Sequence, residues 1–257
     1  MLVLDLVLAA PGQVHIEGIL FHRDAFLPEH DLPDHAVTEF QQEASDYIGC
    51  KHALGVANGT DALVLALRAL GIGPGDEVIT TPFTFFASAE SISLVGATPV
   101  FADIDESSFN ITPDSVKAAI TDRTKAILPV HIFGHPADMA GLRAIADEHG
   151  LKLIEDAAQA HGASWKGQRI GHHGHAATWS FYPGKNLGAY GEGGAVVTDD
   201  PEMIRTITML RDWGSEQRYH HDLKGYNYRM EGVQGAVLKV KMAHIEGWTD
   251  SRRALAA

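Results

Sequence analysis

Cysteine is nearly missing from this sequence. Cys50 is the single one in 257 residues, which excludes an intrachain disulfide and any zinc knuckle built on paired thiols. A reducing, cytoplasmic setting is the expectation that goes with it. No apolar run approaches the ~20 residues that a membrane-crossing helix requires. The apolar stretch at residues 1–10 carries Asp5 and lacks a basic flank, so it reads neither as a span nor as a secretory leader. Cations are also scarce: 20 Lys and Arg stand against 33 Asp and Glu, a net charge of −13 with no long block of either sign. Nucleic acid is therefore a poor partner. Any phosphate must be held by a local set of donors, because the overall field opposes it. No internal repeat and no low-complexity tract is present.

What the sequence does have is apolar content, 45% of residues against 21% charged, enough for a large core. Short apolar runs alternate with helical patterns. Strand-like runs lie at 53–57, 77–81, 98–104, 124–134, 152–157, 177–184 and 193–199, with helical stretches at 60–70, 87–95 and 137–150. Runs of this kind, bounded by Gly, Pro and Asp, are expected of strands buried on both faces of a mostly parallel sheet. The class is α/β. From Pro201 the pattern reads as helical, and Met230 to Ala257 reads as one long segment that stops without a cap. Residues 9–35 have weak periodicity and receive no assignment.

Three segments carry chemistry. Strand 53–57 runs into Asn58-Gly59-Thr60-Asp61 and at once into a helix, whose first free N–H groups and dipole suit a phosphate. Taken alone, the same residues are also an ordinary capped glycine turn. Asp156 follows an apolar run, which places it at the carboxyl edge of the sheet, where ligands of open α/β sheets bind. A carboxylate there can hold a cationic ring nitrogen, and it can equally cap a helix. Lys185 lies in a glycine-rich loop, Ser180-Phe-Tyr-Pro-Gly-Lys185-Asn-Leu-Gly-Ala-Tyr-Gly-Glu-Gly-Gly194, amid small and apolar residues. Such surroundings desolvate an amine and favour its neutral, nucleophilic form. Most lysines, by contrast, are solvated surface charges. Phosphate donors, a carboxylate and an amine on successive strand ends are the three requirements of pyridoxal phosphate.

The motifs NGTDALVLALRALGIGPGDEVITTPFTFFAS, GATPVFADID, PVHIFGHPADM, IEDAAQAHGA, SFYPGKNLGAYGEGGAVVT and GYNYRMEGVQGAVL, spread from about Val37 to Ala257, resemble the DegT/StrS-type nucleotide-sugar aminotransferases. That is a branch of the fold-type I pyridoxal-phosphate enzymes. The resemblance implies a three-layer sandwich around a mostly parallel sheet. It implies Lys185 as the Schiff-base lysine, Asp156 as partner of the pyridine nitrogen and Gln159 near the ring hydroxyl. Gly59, Thr60 and Ser180, with Asp61 in the same turn, would hold the phosphate end. Phe85 would stack on the ring, and Asn227 would reach the phosphate of a neighbouring subunit, so a homodimer follows. For Phe85 and Asn227, core packing and loop capping remain open. The same resemblance divides the chain into a divergent segment at 1–36, a cofactor-binding domain at 37–228, and at 229–257 the start of a linker helix toward a C-terminal small domain largely absent here.

The activity implied is transamination of a nucleotide-linked keto-sugar with an amino acid, glutamate foremost, as donor, in polysaccharide biosynthesis. Two alternatives stay open: a catalytically inactive cofactor-binding homologue or partner subunit, and a pyridoxal-phosphate lyase acting on an amino acid. His161 and the run His172-His173-Gly174-His175 invite a metal reading. The run has no carboxylate or cysteine at ligand spacing, and it reads as a solvated loop. No metal is expected.

Overall fold

The computed structural model describes residues 7–10, 13–16, 19–22, 32–217 and 219–256. Strands β1 (Val7–Ala10), β2 (Gln13–Ile16) and β3 (Ile19–His22) form a small antiparallel meander in the segment that periodicity left unassigned. The chain continues through α1 (Leu32–Ile48), β4 (His52–Val56), α2 (Gly59–Ala69), β5 (Glu77–Thr80), α3 (Ala87–Leu94) and β6 (Thr98–Phe101). It goes on through α4 (Pro113–Ala119), β7 (Thr124–Ile127), α5 (Met139–His149), β8 (Lys152–Asp156), and a ribbon of β9 (Ser164–Trp165) and β10 (Gln168–Arg169). Then come β11 (Ala176–Ser180), β12 (Gly194–Thr198), α6 (Pro201–Arg211), a hairpin of β13 (Ser215–Gln217) and β14 (His220–His221), α7 (Gly232–Met242) and α8 (Ile245–Ala256).

Seven strands form the central sheet in the order β4-β12-β11-β8-β7-β5-β6. Only β12 runs against its neighbours; the other pairings are parallel. Strand side chains alternate in direction, and the burial follows. Val56, Val78, Leu128, Ile154 and Val196 point into one core with α2 and α6. Ile79, Ile127 and Leu153 face α5 on the other side, while Trp179 and Val197 meet α1 and α7 there. The result is a three-layer sandwich. Helix α2 is buried from Ala62 through Leu67, since the sheet, α3 and α6 cover it on several sides.

Local signals account for the helix ends. Thr112 and Ser115 form a capping box with Pro113 in the first turn of α4, and Asp200 with Pro201 does the same work for α6. The structure departs from the periodicity in three places. Helix α4 was not anticipated, because seven residues are too few for a helical period to show. The helical run from Pro201 ends at Arg211; residues 212–217 and 219–231 instead turn back, with Trp213 and Tyr226 joined to the end of α6 through Trp213 N–H to Tyr226 O and Tyr226 N–H to Leu210 O. The single long helix expected over 230–257 is two helices. His244 N–H bonds to Lys241 O, one residue short of the helical ladder, and the ladder restarts at Trp248.

The expected segment boundaries also fall inside packed structure. Helix α1 begins at Leu32, ahead of residue 37. Met230, Leu238 and Ile245 are buried in the same core as α1, so the stretch after 228 packs on the main sheet layer from its first turn. Among the described residues, no helix is long and apolar enough to cross a membrane.

Candidate active site

Strands β8 and β11 lie side by side and parallel, with Asp156 in register with Thr178, so their carboxyl ends deliver Asp156 and Ser180 to one edge of the sheet. The start of α2 comes to the same edge. A Cβ on Gly59 would lie 2.6 Å from Ser180 Cβ, and a Cβ on Gly194 would lie 2.4 Å from the Asn58 carbonyl. Only residues without side chains permit this approach of α2, β11 and β12. Asn58 caps the helix: its Oδ1 accepts the Asp61 N–H at 2.9 Å, and its Nδ2 donates to Asp61 Oδ2 at 2.8 Å. With the Asp61 N–H used, the N–H groups of Gly59 and Thr60 remain at the helix start, beside the Ser180 hydroxyl. Burial, opposed by the Asn58 hydrogen bond and reinforced by the charge of Glu192, pushes the Asp61 carboxyl up to about 6.

Asp156 is buried, with 4% of its surface exposed. Its Oδ2 accepts from the Ser88 hydroxyl at 2.7 Å and its Oδ1 from the Ala158 N–H at 3.1 Å. Burial raises its pKa; the Ser88 and Ala158 hydrogen bonds and the charge of Lys185 oppose that rise without cancelling it. This is an acid short of a positive partner. The preceding residue, Glu155, points into the opposite layer, where its carboxylate accepts from His131 Nε2 at 3.0 Å and from the N–H groups of Gly171, His173 and Gly174. His131 Nδ1 accepts the Ala137 N–H, so the ring proton is on Nε2 and is donated to Glu155.

Lys185 sits in a tight turn closed by its own N–H to Tyr182 O at 2.8 Å. The apolar wrapping expected of it is not what forms. The residue is half-buried and opens on a cleft of about 450 Å³ shared with Asn186, Lys241, Trp248, Ser251 and Arg252. The cations arrive from α7 and α8, which local sequence could not reveal. Beneath the loop, His161 is enclosed by Trp179 and Phe181, with ring centroids 4.9 and 5.6 Å away. Burial and then the Lys185 charge push its imidazole down to about 3, so it stays neutral.

The 172–175 run is also not the solvated loop expected. His173 and His175 are half-buried, and His175 Nδ1 accepts the Leu153 N–H at 3.0 Å. The loop folds inward because the Glu155 carboxylate draws three of its backbone N–H groups.

The structure thus brings Gly59, Thr60, Ser180 and Asp156 to one sheet edge, with Lys185 in the loop that leaves β11, near enough for its charge to act on Asp156. Gln159 lies three residues past Asp156, and its Oε1 accepts the Phe133 N–H at 2.8 Å. Phe85 stands 71% exposed just ahead of α3, its carbonyl taking the Ser88 N–H. Asn227 is exposed, bridges to Asp212 and borders a small hollow with Ala57, Glu192 and Arg229. Ser88, which holds Asp156, was not singled out from the sequence; it is one small residue in Ala-Ser-Ala-Glu and its partner lies 68 positions away. A cradle that a Cβ would fill, unpaired helix N–H groups, a buried acid and a primary amine fit the phosphate, ring nitrogen and aldehyde of pyridoxal phosphate.

Residues 33–257 match the model of the DegT/DnrJ/EryC1/StrS aminotransferase family. The chain is 54% identical over 218 residues to dTDP-3-amino-3,4,6-trideoxy-alpha-D-glucose transaminase of Streptomyces venezuelae, covering 85% of this chain and 58% of that protein. It is 52% identical over 213 residues to a UDP-N-acetyl-3-dehydro-alpha-D-glucosamine 3-aminotransferase of Acidithiobacillus ferrooxidans, covering 83% and 58%. The crystal structure of DesV from S. venezuelae superposes with a TM-score of 0.83 at 50% identity, over 87% of this chain and 64% of that one. The chain therefore spans less than two thirds of the length of each.

Proposed function

The chain belongs to the DegT/DnrJ/EryC1/StrS aminotransferase family, whose members depend on pyridoxal phosphate, and from that membership we propose that it transfers an amino group from an amino acid, glutamate foremost, to a nucleotide-linked keto-sugar. The observation that supports the reading is the buried acid Asp156 beside the Gly59–Ser180 cradle at one sheet edge, with Lys185 in the loop that follows β11. Two relatives act, by name, on dTDP- and UDP-linked sugars, which supports the substrate class and leaves the nucleotide open.

Gly59, Thr60 and Ser180 anchor the phosphate end by helix N–H groups and a hydroxyl, so orientation does not depend on the protein's net charge. Asp156, held by Ser88 and Ala158, keeps the ring nitrogen protonated, and that cation in turn stabilises its carboxylate. Bound in this way, the cofactor supplies an electron sink for charge developing on the substrate carbon. Lys185 Nζ takes a proton from one carbon and returns it to another, acting as base and then as acid. Gln159 orients the ring hydroxyl and Phe85 covers one ring face. In a homodimer, Asn227 reaches the phosphate bound by the second copy, consistent with its exposure. A cytoplasmic location goes with this substrate class.

The test is to incubate the purified protein with pyridoxal phosphate, reduce with borohydride and map the modified peptide, then assay transfer from glutamate to dTDP- and UDP-linked keto-sugars. Covalent label on Lys185 together with transfer is the expected result. Label without transfer to any substrate turns the reading to a cofactor-binding partner subunit, and no label on Lys185 overturns it.

A further inference from the structure

Lys185 is followed by a residue whose carboxamide is fully committed. Asn186 Nδ2 donates to the His161 carbonyl at 3.1 Å and to Thr249 Oγ1 at 3.3 Å, and Asn186 Oδ1 accepts from Arg252 Nη1. The orientation is forced. A carbonyl oxygen can only accept and a guanidinium can only donate, so a flipped amide would lose both bonds.

The rest of the loop is tied in the same direction. Lys241 Nζ donates to Gly188 O at 2.6 Å and lies 4.5 Å from the centre of the Tyr190 ring, while the Tyr190 N–H goes to Gln234 Oε1 at 2.9 Å. Helix α8 is in turn fixed to the segment beyond β8: Glu246 accepts from Arg169 Nη2 at 2.7 Å and from the Tyr47 hydroxyl, and Arg169 Nη1 donates to Gly162 O at 2.7 Å.

We infer that Asn186 is a positioning residue for Lys185, setting the lysine's distance from Asp156 by tying its loop at once to the His161 turn after β8 and to Thr249 and Arg252 of α8. This rests on Lys185 being the reactive amine. A brace that served only to hold α8 would affect melting and leave the amine untouched. A positioning brace alters the amine itself, because a displacement of about 1 Å in a reacting group costs up to ~100-fold in rate.

Asn186→Ala, Asn186→Asp, Thr249→Val and Arg252→Ala are compared with the parent in the full chain. Three measurements are made: the pH dependence of acylation of Lys185 in cofactor-free protein, mapped by mass spectrometry; the rate of pyridoxal-phosphate capture, followed by absorbance; and thermal melting. Asn186→Ala slows capture about tenfold and shifts the acylation profile, with little change in melting. Arg252→Ala slows it about threefold, as fits loss of one exposed contact. Asn186→Asp keeps the Arg252 arm, loses both donors and falls between.

Folded Asn186→Ala and Arg252→Ala proteins with capture within twofold of the parent and an unchanged acylation profile overturn the inference. If Asn186→Ala does not fold, Thr249→Val and Arg252→Ala decide on the same criterion. If the parent captures no cofactor, the cofactor reading fails by itself, and the acylation profile still tells whether Asn186 positions the amine.

Discussion

Replacing Gly59 with alanine separates folding from cofactor retention, and the structure sets the size of both effects. The new Cβ would lie 2.6 Å from Ser180 Cβ and 3.1 Å from its Cα and Oγ. Carbon contacts are comfortable at about 3.5–4.0 Å, so the start of α2 and the end of β11 must part by roughly 1 Å. Overpacking of this kind costs about 1–3 kcal/mol, while alanine in a helix recovers up to ~1 kcal/mol relative to glycine. A net loss of at most ~3 kcal/mol lowers the melting temperature by no more than about 12 °C.

The anion fares worse. A hydrogen bond lengthened by 1 Å from about 2.9 Å is no longer one, and a bond to a charged group is worth about 1.5–3 kcal/mol. Affinity for pyridoxal phosphate should therefore fall by about 10- to 150-fold, since 1.4 kcal/mol is a factor of ten. Equilibrium titration in a Lys185→Ala background isolates this anchoring from covalent capture. Gly59→Ala protein that melts near the parent yet binds within twofold as tightly would refute the assignment of this edge as the phosphate seat.

Asp156→Asn should melt higher than the parent at pH 7 when cofactor-free, while losing the cofactor readily. Its carboxyl is held up by burial, so the native state binds that proton more tightly than the unfolded state does, and stability falls as pH rises above the unfolded value. The advantage should vanish in calorimetry near pH 3, where both states are protonated. Glu155→Gln should cost about 1.5–3 kcal/mol in urea unfolding at neutral pH, because three backbone N–H groups and His131 lose an anionic acceptor. Burial raises the Glu155 carboxyl, but the His131 hydrogen bond and the Gly174 and Gly171 N–H groups bring it below the usual range. Its contribution is therefore complete above the unfolded value, and the deficit of the glutamine variant should shrink as pH falls through the folded one. Burial, helped by the charge of Asp199, pushes the Cys50 thiol up to about 11. Iodoacetamide at pH 8 should alkylate it on the order of 100-fold more slowly than an unperturbed thiol, measured by mass spectrometry.

The sheet was readable because strands buried on both faces leave unbroken apolar runs such as Val-Ile at 78–79 and Leu-Ile at 153–154. Asn58 to Asp61, Asp156 and Lys185 were readable for a related reason: each stands where such a run stops, and the ends of parallel strands gather at one edge. What escaped depends on partners distant in sequence. Nothing near Ser88 announces Asp156, nothing in His-His-Gly-His announces Glu155, and nothing in the 180–194 loop announces Lys241 or Arg252. The break at Ala243 and His244 was hidden as well, since both residues are compatible with a continuing helix and only the packing of Ile245 shows the turn.

Strand β8 ends on two adjacent acids facing opposite layers. A one-residue slip of that strand would trade them, sending the glutamate toward α3 and the aspartate under the loop at 171–174, where a shorter arm reaches fewer amides. Mis-threaded chains would lose their internal anchor and the acid proposed to face the cofactor in a single error. Capture of the cofactor therefore doubles as a report that the strand has been laid down in the correct frame.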